Sequence, residues 1–97
     1  MVTYVGLMSF TEKGIQAVKE TTHRAAAAKA FGKKHGVKMR EILWTMGEYD
    51  LVCILEAKDE QALAAFSLAT AVQGNVRVRS LRAFTAKEMN EILTKLA

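Results

Sequence analysis

An indole, a phenol and a carboxylate meet at one turn of this chain: Trp44 precedes Gly47-Glu48, and Tyr49 and Asp50 follow it. Aromatic walls with one acidic group suit a small polar-aromatic ligand. The same residues have a structural use. Asp50 can tie down the turn through backbone N–H groups while Tyr49 packs its ring. Arg24 is the fourth candidate, placed mid-helix beside His23. A guanidinium there pairs with Asp50 or Glu56, clamps an anion, or stays on solvated helix surface.

Other chemistry finds less support. His23 and His35 have no cluster of further ligands beside them, and a metal site needs three or four convergent donors, so neither a metal nor a cofactor is expected. Cys53 lies inside the apolar run Leu51-Val52-Cys53-Ile54-Leu55. Desolvation there makes a thiol inert, and no histidine stands close in sequence to activate it. Arg77 and Arg79 share one face of a strand and Arg82 takes the other, without the aromatic ladder of an RNA-binding sheet. Protection of an edge strand is the better account, and nucleic acid is not an expected partner. No phosphate loop, dinucleotide fingerprint or Ser-His-Asp order is present.

The elements that position these residues follow from pattern. With 97 residues, 51% hydrophobic and 25% charged, the chain is expected to form one domain over 1–97. The net charge of +4 is spread rather than blocked. No apolar run reaches membrane length, the N-terminus lacks a signal-peptide pattern, and the lone cysteine suits a reducing compartment; the expected location is the cytoplasm.

Thr3 to Phe10 is apolar on both alternating sets, which predicts a central strand, and Gly6 within it admits a helix or ligand close to the backbone. Thr11 caps a predicted helix running to about His35, with Ile15, Val18, Thr22, Ala25, Ala28 or Lys29, and Phe31 as its buried stripe. Val37 to Met46 and Tyr49 to Ala57 read as strands joined by a tight turn at Gly47-Glu48. Asp59 caps a helix over Glu60 to about Gln73, so apolar all round that it should be covered on more than one side. Val76 to Phe84 is the fourth strand. Thr85 to Glu88 forms a capping box for a last short helix ending near Leu96.

The order is βαββαβ with an extra α, an α+β, ferredoxin-like antiparallel sheet. Crossover handedness puts the first and third strands in the centre and the charged second and fourth strands at the edges. Both connecting helices then lie on one face. The centre strands are apolar on the other face too, and a bare apolar face is a liability. A second copy of the sheet is the expected cover, giving a homodimer or higher homo-oligomer of dimeric α/β-barrel type, with the last helix reinforcing it or covering the partner.

Gly47, Tyr49 and Asp50 in this setting resemble the GYD family of small bacterial and archaeal proteins. The likeness continues in Phe10-Thr11 with Gly14, Lys19-Glu20-Thr21 with Arg24, Trp44-Thr45, Glu56, Asp59, Gly74-Asn75-Val76-Arg77, and Leu81 to Thr85. Lys58 and Val78-Arg79 depart from the pattern, in loop and edge-strand chemistry rather than in the fold. The resemblance implies a dimeric α/β barrel and carries over no catalytic residue.

The leading expectation is a non-enzymatic, homo-oligomeric module that binds a small ligand between sheet and helices, with Trp44, Tyr49, Asp50 and Arg24 as candidate contacts. The alternative is a cofactor-independent enzyme, monooxygenase- or isomerase-like, by analogy of architecture. It requires a closed cavity holding at least two of those four residues. A third reading is a structural or regulatory partner of another protein.

Overall fold

A computed structural model describes residues 1–96. The strands are β1 (Val2–Phe10), β2 (Val37–Trp44), β3 (Leu51–Ala57) and β4 (Val76–Ala83); the helices are α1 (Glu12–Gln16), α2 (Thr21–Lys34), α3 (Glu60–Val72) and α4 (Ala86–Leu93), with a 3-10 turn at Val18–Glu20. The sheet order is β2-β3-β1-β4, every pairing antiparallel. The two strands most apolar on both faces are central and the charged ones are at the edges, the ferredoxin-like arrangement that the charge pattern predicts.

Register divides the sheet cleanly. Tyr4, Met8, Leu51, Cys53, Leu55 and Ala57 alternate onto one face and are buried. They form the core with Val37 and Met39 of β2 and Ala62, Leu63 and Phe66 of α3. Gly6 sits in the same row. A Cβ there would lie 2.7 Å from Cys53 Sγ, so the close neighbour that needs a glycine is the adjacent strand's thiol, not a helix or ligand.

One break in register decides which side chains of β2 face the helices. β2 carries a bulge between Met39 and Glu41. Val37 and Met39 face the helices; beyond the bulge Ile42 pairs with Cys53 and Trp44 with Leu51, so they face the helices as well. Without the extra residue the two-residue period would turn Ile42 and Trp44 to the opposite face.

The first connection differs from expectation. Instead of one helix from Thr11 to His35, the chain forms α1, a 3-10 turn and then α2, with the break at Ala17 (φ −108°, ψ 32°). Two contacts account for it. Thr11 N–H donates to Asn75 O (3.1 Å), and Gly14 lies so close to the same residue that a Cβ would stand 1.9 Å from Asn75 O, which docks α1 on the loop before β4. The guanidinium of Arg24 then donates to Ala17 O (2.7 Å) and Gly14 O (3.4 Å), satisfying carbonyls left free at the break. The expected buried stripe shifts accordingly: Ile15, Val18 and Phe31 are exposed, as is Thr22, whereas Ala25 and Ala28 are half-buried and Gly32 is buried against Phe66 and Val37.

Two further expectations change. β2 ends at Trp44 and β3 starts at Leu51, so residues 45–50 form a loop rather than a two-residue turn, with Gly47 at φ +127°. The apolar helix α3 is covered on one side only in the single chain: Leu68 and Val72 are 67% and 84% exposed. α4 forms with the expected capping box, in which Thr85 Oγ accepts from Glu88 N–H and Glu88 Oε1 accepts from Thr85 N–H.

Candidate functional site

Between α2, α3 and the helix-covered face of the sheet lies a cavity of about 310 Å³. That volume is at the lower end of small-molecule sites. It exists because the two helices are spaced apart over the centre of the sheet. Small residues on α2, Ala25 and Ala28, leave room above the apolar floor, and Phe66 of α3 closes one side. The floor is built by Met39, Ile42, Leu51, Cys53 and Leu55. Polar groups gather at the rim: Thr21 and Arg24 from α2, Ser67 and Thr70 from α3, Gln73 and Asn75 from the loop that follows.

The candidate residues distribute unevenly around this space. Arg24 is half-buried and lines the cavity. Trp44 does not line it but adjoins its rim, because its indole N–H donates to the Thr21 hydroxyl at 3.0 Å and Thr21 is a lining residue. Asp50 does not line this cavity. Its carboxylate accepts from Phe10 N–H (2.8 Å), its own N–H donates to Met8 O (2.8 Å), and its carbonyl accepts from Thr45 N–H (2.7 Å). These bonds tie the end of β1 to the start of β3. Thr45 adds a hydroxyl bond to Tyr49 O (2.6 Å). Tyr49 faces away from the helices, into a depression on the far side of the sheet shared with Ser9, Glu48, Arg77 and Arg79.

The Gly-x-Tyr-Asp segment is therefore a fastening. With Thr11 and Gly14 against Gly74-Asn75, it joins the ends of β1 and β3 and the start of β4 at one end of the molecule. Residues missed as site builders are Thr21 and the alanines of α2. Thr21 stands one turn from Arg24, and that spacing on a helix face was the available signal.

Cys53 is 2% exposed and its thiol pKa is raised, chiefly by burial and against a smaller lowering from the Gly6 backbone. No histidine lies among the lining residues to activate it. Among the described residues no group of three His, Cys, Asp or Glu side chains is placed to hold a metal ion, and no helix is long and apolar enough to cross a membrane.

The far face of the sheet is open. Val5, Leu7, Val52 and Ile54 lie at its centre, Leu43 and Leu81 at its sides, and Leu43, Leu81 and Ile54 are 55%, 52% and 39% exposed. Arg77 and Arg79 border this patch on β4, and Glu41 borders it on β2.

Solved structures share this architecture. The crystal structure of FFRP-DM1 superposes with a TM-score of 0.59 at 21% identity, covering 87% of this chain and 100% of its own. TTHA0845 from Thermus thermophilus gives a TM-score of 0.56 at 22% identity, covering 89% of this chain and 96% of its own. At these identities the likeness is one of fold. The curated proteins give no match. The family model described as GYD domain matches residues 4–93, a span that takes in the fastening at one end of the sheet and the cavity between sheet and helices; the chain belongs to the GYD domain family.

Proposed function

We propose that this protein is a homo-oligomeric module that holds a small, largely apolar ligand between its sheet and helices. The observation that carries the proposal is that one sheet is apolar on both sides. On one side α2 and α3 leave a cavity of about 310 Å³ over it. On the other, among the described residues, the patch is left half-buried at Val5, Leu7 and Val52 and exposed at Ile54, Leu43 and Leu81.

A second copy of the sheet fits that open face. A two-fold axis running along the strands lays β4 of one copy over β2 of the other. The edge bearing Arg77 and Arg79 then meets the edge bearing Glu41, with the apolar patches between them. Face-to-face packing also protects Leu43, Ile54 and Leu81 from water; as each is already about half-covered, completing its burial contributes about 1 kcal/mol. α4 adds to the surface that a partner covers: it is amphipathic, and Phe84, Met89 and Leu93 in and beside it are exposed.

The enzyme alternative asks for two of Trp44, Tyr49, Asp50 and Arg24 in one closed cavity, and of these Arg24 alone lines it. Ile54→Lys tests the proposal. The charge should leave the far-ultraviolet spectrum of the protein unchanged and convert it to single chains in sedimentation. An Ile54→Lys protein that keeps the assembly state of the parent would remove the sheet face as the interface.

A further inference from the structure

The rim of the cavity specifies the charge of what enters it. Resting on the reading of the cavity as a ligand site, we infer that the ligand is a small amphipathic monocarboxylate, its carboxylate held by Arg24 and Thr21 and its apolar body lying over Ile42 and Cys53 beside Phe66.

Arg24 is the one charged side chain among the residues that line the cavity. No carboxylate among the described residues lies in ion-pair range of it. Its Nη1 donates to Ala17 O at 2.7 Å and its Nη2, more loosely, to Gly14 O at 3.4 Å. A guanidinium has five N–H donors, so most of them are free for a ligand, and the planar fork matches a carboxylate. Thr21 supplies the next donor. It stands one turn from Arg24 on α2, and its hydroxyl oxygen already accepts from the Trp44 indole. That bond leaves the hydroxyl proton to be donated onward. Trp44 thus positions Thr21 without touching the ligand.

The remaining rim groups, Ser67, Thr70, Gln73 and Asn75, are neutral. One cation with neutral hydrogen-bonding groups balances one negative charge. A phosphate dianion would be left undercompensated, an amine would be repelled, and a neutral ligand would leave the guanidinium without a counter-charge. The floor of Met39, Ile42, Leu51 and Leu55 accepts either an alkyl chain or an aromatic ring.

The test uses the full chain with octanoate, phenylbutyrate and octanol, followed by calorimetry and by the fluorescence of Trp44, the single tryptophan. The unaltered protein should bind at least one of the two acids more tightly than octanol; which acid binds distinguishes an alkyl from an aromatic source. Arg24→Gln should weaken the acid about tenfold or more, the loss of a charge-assisted pair, while octanol affinity stays the same. Arg24→Lys should recover part of the acid affinity, and a bulky Ala28→Phe should weaken acid and alcohol together. Equal acid affinity in the parent and in Arg24→Gln would overturn the carboxylate assignment and leave the cavity as a ligand site. Acid binding that survives Ala28→Phe would place the acid elsewhere and overturn it as well. If the parent binds octanol but neither acid, the assignment alone fails; if it binds none of the three, the cavity reading fails with it.

Discussion

Asp50 joins two strands with one side chain. Its carboxylate receives the Phe10 N–H at the point where β1 ends. Asp50→Ala strands a half-buried N–H and should lower stability by about 1–3 kcal/mol, read as a drop in the urea midpoint. Asp50→Asn keeps an acceptor and should lose less. Neither variant should alter ligand affinity, because Asp50 does not line the cavity. Cys53 makes a second prediction at this scale. Burial raises its thiol pKa in the folded chain above that of the unfolded chain. As pH rises past the ordinary thiol value, about 8.5, the unfolded chain loses its proton first and the folded chain keeps it. Stability is therefore complete below that pH and declines above it, levelling off once the folded thiol also ionises. Chemical denaturation of the parent and of Cys53→Ala between neutral and alkaline pH should show the extra decline in the parent only. Parallel curves would contradict it.

The elements show what pattern can and cannot reveal. The centre strands announced themselves through apolar residues on both alternating sets; Asp59 and Thr85 cap the helices they were read to cap, whereas Thr11 caps only the short α1 in place of the helix read to His35. The bulge in β2 was legible in principle, since the apolar positions change parity from Val37 and Met39 to Ile42 and Trp44 across Arg40-Glu41. The break at Ala17 was not. Helical periodicity runs straight through it, and it arises from a long-range contact: Gly14 packs on the backbone of Asn75. The same distance hid the site. Arg24, singled out in the sequence, does line the cavity, but that Tyr49 faces the far side of the sheet depends on the course of the loop at residues 45–50. Gly14→Ala tests this account of the break. The added carbon has no room beside Asn75 O, so the variant should be destabilised by more than about 2 kcal/mol although alanine favours helix over glycine. A gain in stability would mean that α1 does not dock as described.

At the scale of the molecule, one sheet serves two apolar environments. The helices occupy one side and leave a cavity; the other side carries the exposed Leu43, Ile54 and Leu81. The half-exposed Leu43, Ile54 and Leu81, the one-sided cover of α3 and the amphipathic α4 all leave apolar surface that a single chain does not bury. Solution molar mass by light scattering, on the unaltered protein at micromolar concentration, tests this most directly. The account predicts a mass that is twice the 10.7 kDa of one chain, or a higher even multiple. A folded, monodisperse species with the mass of one chain would contradict it.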